Sequence, residues 1–291
     1  MGQLSCLNEQ DNIGVSSCKK IPNFLKGMIT TPANFSLSFA NAAISSNWQD
    51  ALLAAKGSRI YLWPVAVMNE NVNEAAVYEE TPLSTQAVRD GRYRWRFSFQ
   101  ENLNLHKAMF SHQNFQGRVF LIDDKNQIIG TSRDGANFQG FTLDLLNPEK
   151  LLFNDGSVSS KTPVYVSLQD NLELDRAGCL IEASFINSLI RLTTVDLAIV
   201  GAPISTTIVV TVNSELDSKG VSGLLVADFV LLDGGGTPQT ISGVVESTTI
   251  PGQYTLSGAG LVTGTLDLVA ASALTVQGFE SSGSVVVTID D

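Results

Sequence analysis

Arg92-Tyr93-Arg94-Trp95-Arg96-Phe97-Ser98-Phe99 alternates strictly between aromatic and polar residues. Successive side chains of an extended chain point to opposite faces, so the four aromatics share one face and Arg92, Arg94, Arg96 and Ser98 the other. The pattern predicts a half-buried β-strand whose aromatic face meets a core. Working outward, the same reading finds strands at 29–40, with Phe35, Leu37 and Phe39 on one face, and at 59–67, 137–145, 163–169 and 178–200. The clearest hairpin is 117–130, with Asp123-Asp124-Lys125-Asn126 as its turn. Helical spacing is rarer. Ser46-Asn47-Trp48-Gln49 is a capping box, and Trp48, Ala51, Leu52 and Ala55 follow at helical intervals up to Gly57. A short helix is therefore expected at 46–56. A second is expected at 102–113 with Asn102 as cap, and a helical turn at 147–149.

Between the strands at 59–67 and 92–99 lies a polar insert, 68–91, carrying Glu70, Glu74, Glu79, Glu80 and Pro82. Connections beyond ~12–15 residues inside a compact domain are usually functional or disordered. This insert is the chain's best candidate for a contact arm. The arginines Arg92, Arg94 and Arg96 have a plain reading, a solvated strand face. Their sharper reading is a subunit contact, in which the row meets the acids at 70–80 of a neighbouring copy through Arg–carboxylate pairs.

Composition changes near residue 201. All three Trp, both His, all three Cys and every Arg lie before it, whereas 201–291 holds one Lys and nine acids in a Val/Thr/Ser/Gly-rich background. Expected strands there are 206–213, 223–232, 239–246, 252–257, 262–270 and 283–289, punctuated by Gly, Asn and Pro turns. Six or seven short strands in ~90 residues suggest an immunoglobulin-like sandwich. Tyr254 looks like the usual tyrosine near a late strand, and no cysteine pair accompanies it. The expected organisation is an N-terminal arm at 1–28, a β-rich assembly domain at 29–201 and an Ig-like module at 203–291. The fold class is mainly β: a β-sandwich or barrel-type domain with one or two short helices, followed by an Ig-like β-sandwich.

The chain carries a formal net charge of −11 over 291 residues, with only 16% charged residues. That balance argues against duplex DNA binding by phosphate neutralisation, which needs a basic face. It leaves open a surface past which nucleic acid slides without sticking. Residues 1–30 lack the basic start and apolar core of a signal peptide, and the apolar runs are too short to span a bilayer, so a soluble protein made in a cytoplasm is expected. Three cysteines without a CxxC fit buried thiols in a reducing compartment, with a Cys6–Cys18 bridge as the alternative.

No chemistry-bearing motif emerges. His106 and His112 are six apart, not the four of a helical metal pair. Asp123-Asp124-Lys125-Asn126 lacks the glycine and terminal glutamate of a calcium loop. Gly234-Gly235-Gly236 is followed by Thr-Pro rather than Lys-Ser/Thr, so it reads as a turn and not a phosphate loop. No nucleophile–base or cofactor constellation can be drawn, and a non-enzymatic role without cofactor or metal is expected.

The plan as a whole is similar to tail tube proteins of long-tailed bacteriophages: an arm, a β-rich core with a helix at 46–56, a long polar insert at 68–91 and a C-terminal Ig-like module. The segment Gly117–Phe141, with its run Asp134-Gly135-Ala136-Asn137-Phe138-Gln139-Gly140-Phe141, resembles structural proteins of phages of Bacteroidetes-type bacteria. The resemblance implies hexameric rings whose adjacent strands close an inner β-barrel, with the 68–91 insert and the arm locking ring to ring. It implies a virion protein synthesised in the host cytoplasm, with other virion proteins as partners. DNA would pass an electronegative lumen without specific binding. The 203–291 module, net −8, would sit outside, keep tubes apart and contact host-surface glycans. Arginines lining a lumen would grip DNA, so Arg92, Arg94 and Arg96 are placed at a subunit interface. Two other readings compete: a capsid decoration or head-fibre protein with an exposed Ig-like module, and a cell-surface binding protein with a carbohydrate-binding module.

Overall fold

The computed structural model describes residues 23–100, 103–157 and 159–289. The expected arm through residue 22, Cys6, Cys18 and the expected cap Asn102 lie outside the described residues. The chain divides between Leu189 and Ile190 into two compact units, with Leu52–Ala55 grouped with the second. Both are mainly β; the first carries the short α-helices, whereas the described part of the second adds a 3-10 turn at Val226–Asp228.

The first unit contains β1 (Leu25–Thr31), β2 (Leu37–Ser38), α1 (Phe39–Ala42), α2 (Ser45–Leu52), β3 (Tyr61–Leu62) and β4 (Met68–Asn71). It continues with β5 (Val77–Thr81), β6 (Ser84–Arg89), β7 (Arg94–Phe99), α3 (Leu103–Ser111), β8 (Arg118–Asp123) and β9 (Gln127–Thr131). β10 (Asn137–Phe138), β11 (Phe141–Pro148), β12 (Thr162–Leu168), α4 (Leu172–Asp175) and β13 (Gly178–Glu182) complete it.

β8 is the branch point. One of its edges pairs with β1 along the whole strand. The other edge is shared: Arg118 and Val119 pair with β11, Leu121 and Ile122 with β9. One branch runs on to β13 and the other through β12 and β7 to β4. This nine-stranded sheet curls into a half-barrel. Its concave core is filled by Trp95, Phe97, Phe99, Phe141, Val164 and Val166 among others. The aromatic face of 92–99 is thus buried as the alternation predicts. β8 is buried along nearly its whole length because α2 and β10 cover its other face: the Phe120 ring lies 5.3 Å from Trp48 and 5.0 Å from Phe138. Burial on both faces explains the unbroken apolar run Val119-Phe120-Leu121-Ile122. Trp48 satisfies its indole N–H on the Ala42 carbonyl at 2.8 Å, which fixes α2.

The sequence expectations fail where chain breakers act. The strand expected at 29–40 stops at Thr31, because a turn from Pro32 to Phe35 intervenes and Ser38 caps α1. Only Tyr61–Leu62 of 59–67 is a strand, ahead of Pro64. The 147–149 turn is instead the end of β11 and its continuation, where Glu149 N–H bonds to Pro163 C=O. The insert 68–91 is not a loop. β4 adds to the edge of β7, and β5 and β6 form a hairpin that pairs with no other strand among the described residues.

The boundary expected at 201–203 lies at Leu189/Ile190. The stretch 178–200 is broken into β13, a 3-10 turn at Ser184–Ser188, and β14 (Thr193–Ile199), which pairs with the second unit. That unit adds β15 (Thr207–Ser214), β16 (Phe229–Asp233), β17 (Pro238–Gln239), β18 (Gly243–Glu246), β19 (Gln253–Ser257), β20 (Gly264–Leu268), β21 (Phe279–Ser281) and β22 (Val285–Val287). Its five-stranded sheet has the order β18-β19-β15-β14-β21 and its four-stranded sheet β17-β16-β20-β22. Both feed one core, with Val195, Val210 and Leu256 from the first sheet and Leu231, Leu266 and Val287 from the second. Tyr254 is fully buried; its hydroxyl donates to Val221 C=O at 2.6 Å and accepts from Leu224 N–H at 3.2 Å.

Candidate functional site

β7 places Arg94 and Arg96 on the face opposite the aromatic core, and β4 lies antiparallel beside it with Glu70 directly across from Arg96. The ion pairs that follow are within the chain. Arg96 Nε and Nη2 lie 3.1 and 2.5 Å from Glu149 Oε2, and its Nη1 is 3.8 Å from Glu70. Arg94 Nη2 stands 2.9 Å from Glu74 Oε2, a close ion pair without hydrogen-bond geometry. Arg89 also meets Glu74. Arg92 Nη1 reaches Asp144 Oδ2 at 2.8 Å. A register shift between Leu143 and Leu145 marks a bulge at Asp144.

The structure therefore brings Arg92, Arg94, Arg96, Glu70 and Glu74 onto one charged face, joined by Asp144 and Glu149, which sequence reading did not single out. Their partners lie 52 and 53 residues from Arg92 and Arg96 in the chain. Only the pairing of β7 with β12, and of β12 with β11, brings them across. Glu79 and Glu80 are apart from this face, on β5. Exposed pairs of this kind contribute ~0.2–1 kcal/mol each. Their main effect is to neutralise the arginines, each already beside a carboxylate of its own chain.

The β5–β6 hairpin is the second element. Glu74 and Arg92 exchange backbone hydrogen bonds of 2.9 and 3.2 Å at its base. Beyond them the hairpin extends with Glu79 opposite Gln86 and Glu80 opposite Thr85, turning at Pro82–Leu83. Tyr78, Leu83 and Val88 are exposed, Leu83 almost completely at 97%. The signal in the sequence was two β-prone runs flanking Thr81-Pro82-Leu83-Ser84.

The candidate chemical groups are elsewhere engaged. His106 Nδ1 is 2.9 Å from Thr162 Oγ1. His112 sits among the rings of Tyr61, Trp63 and Phe115, and burial lowers its pKa. Burial pushes the Cys179 thiol up to about 12, so little reactive thiolate forms near neutral pH. The Asp123 carboxylate accepts from the backbone of Lys125 and Gln127 at 3.0 and 2.7 Å and closes the hairpin turn. Among the described residues no group of three or more His, Cys, Asp or Glu could hold a metal ion, and no helix is long and apolar enough to cross a membrane. No protein-family model and no curated protein matches the chain.

Proposed function

We propose that this chain is a self-assembling virion structural protein, a tail tube subunit that forms stacked hexameric rings around a DNA conduit. The observation that carries the reading is the β5–β6 hairpin. Two strands that pair only with each other are marginally stable in water, and three or more strands, or packing against another element, are needed for independent stability. Among the described residues no strand pairs with either outer edge, and Tyr78, Leu83 and Val88 face solvent. A neighbouring copy supplies what the hairpin lacks. The insert 68–91, with Glu70, Glu74, Glu79 and Glu80, stands where the resemblance to tail tubes puts the contact arm. Arg92, Arg94 and Arg96 contribute to the same interface as neutralised pairs that do not hold a passing DNA.

The second unit is read as an immunoglobulin-like sandwich on the outside of the assembly. Its two sheets share one core and Tyr254 bonds back to the backbone, although 30 and 33 residues upstream rather than a few. From Ile190 onward it holds two basic residues against ten acids, a charge that keeps assemblies apart and leaves host-surface glycans as its candidate ligand. Other virion proteins are its remaining partners. The role is non-enzymatic and needs no cofactor.

The test is a deletion of residues 75–91, with Glu74 and Arg92 joined by Asn-Gly. Their existing backbone pairing lets a short turn close the gap. The expected product is a folded monomer that no longer assembles; assembly like the wild type would overturn the reading. Discrete monomers or trimers of the intact chain would favour decoration of a capsid instead.

A further inference from the structure

The register of the first unit separates two protrusions. The β5–β6 hairpin leaves the sheet beyond Arg94, at the end where Arg94 pairs with Ser167. The loop 149–161 joins β11 to β12 at the other end, where Phe99 pairs with Thr162. Five residues of β7 separate these ends, about 17 Å at ~3.3 Å per residue. Hairpin and loop leave the sheet at opposite ends of β7, so those of different copies can meet head to tail.

Both protrusions carry exposed apolar side chains, Leu83 at the turn of the hairpin and Phe153 just beyond the Leu152–Lys161 bridge at the neck of the loop. Leu83 at 97% and Phe153 at 77% are the two most exposed large hydrophobic residues among those described. Leu152, beside Phe153, is exposed as well. The charges left after pairing within the chain are opposite. The hairpin 77–89 carries Glu79 and Glu80, and its one basic residue, Arg89, pairs with Glu74; the loop 149–161 carries Lys150 and Lys161, with Glu149 paired to Arg96 and Asp155 as its other acid. The Asp155 carboxylate is taken up by Ser157, whose N–H and hydroxyl donate to it at 2.9 and 2.7 Å. Glu79 and Glu80, being successive on β5, put one acid on each face of the hairpin.

We infer that the β5–β6 hairpin of one copy docks on the 149–161 loop of a second copy, with Leu83 against Phe153 and Glu79/Glu80 against Lys150/Lys161. The contact is heterologous: each copy offers a hairpin at one end and a receptor loop at the other, so repetition propagates into a stack or a ring rather than closing as a dimer. This deepens the self-assembly reading and rests on it.

Two variants, E79K/E80K and K150E/K161E, test the pairing. Glu79, Glu80 and Lys150 are exposed and Lys161 is half-buried, and circular dichroism checks that each variant folds. In either variant alone, hairpin and loop carry like charge, and the concentration needed for assembly, followed by light scattering, rises roughly tenfold or more. In an equimolar mixture every hairpin again finds a loop of opposite charge, and assembly returns to the wild-type range. If the wild type assembles and either variant alone does so equally well, or the mixture is not rescued, the pairing is wrong while self-assembly stands. If the wild type does not assemble at any concentration, the self-assembly reading itself fails and the pairing with it.

Discussion

Glu173 offers the sharpest test of how the first unit holds together. It lies on the four-residue helix α4, and its carboxylate is fully buried. Thr142 donates its backbone N–H to Oε2 at 2.6 Å and its hydroxyl to Oε1 at 2.9 Å. Arg118 and Arg133 approach Oε1 at 3.4 and 3.3 Å. One side chain thus ties α4 to β8 and β11 at the branch of the sheet. Replacing it with alanine leaves the Thr142 N–H without an acceptor, ~1–3 kcal/mol, and removes the counter-charge of two guanidinium groups. Breaking a buried pair costs ~3–5 kcal/mol, but Arg133 is well exposed and is rehydrated, so we take ~3 kcal/mol for Glu173→Ala. Glu173→Gln keeps one oxygen for the Thr142 N–H but also loses the counter-charge of the two guanidinium groups, so it should lose ~1–2 kcal/mol, less than alanine. Trp48, Trp63 and Trp95 all lie in the first unit, so tryptophan fluorescence in a urea titration reports that unit alone. A loss of ~3 kcal/mol lowers the urea midpoint by about 1–2 M. Equal midpoints for the alanine and glutamine variants, or a shift below about 0.3 M for alanine, would refute the reasoning.

Tyr254→Phe in the second unit strands the Val221 carbonyl and Leu224 N–H in the core, and should cost ~1–3 kcal/mol in that unit, measured by urea unfolding of the isolated fragment 190–291. That fragment should itself fold, whereas 203–291 should not. The shorter piece lacks β14, which lies between β15 and β21 and is the strand with which β21 pairs. Dispersed amide spectra from 203–291 alone would return the boundary to residue 203. The Asp134 carboxyl is held at about 2, against an ordinary 3.8, chiefly by the backbone N–H of Asn137, then by the Asn137 side chain and the N–H of Ala136. A depressed folded pKa means the contribution is complete above 3.8 and lost as pH falls through about 2. An NMR titration should find the 132–137 turn intact at pH 3.8 and loosening near 2; a midpoint close to 3.8 would contradict the hydrogen-bonded turn.

The β-rich character was legible wherever one face of a strand is buried. Trp95, Phe97 and Phe99 alternate with arginines because the half-barrel has an inside and an outside. The hairpin 117–130 was legible because its turn residues are specific: Asn126 adopts the left-handed conformation (φ 61°) that asparagine tolerates. The β5–β6 hairpin was read as a loop for the converse reason. Every described side chain of β6 is exposed, so no apolar period marks it. The boundary at Ile190 was missed because Val195 and Leu197 carry the same alternation that a strand of the first unit would show; only pairing with β15 reveals their allegiance. The charged face was half legible. Spacing put the arginines on one side of β7, but their carboxylates come from β4, β11 and the segments beside them. Long-range register, which a single sequence does not encode locally, brings these carboxylates beside the arginines of the same chain.

The most direct test of the central claim is negative-stain electron microscopy of the purified full chain over a range of concentrations, with light scattering on the same samples. The account predicts rings or tubes with a central channel that appear as concentration rises. Discrete monomers or trimers at every concentration would contradict it.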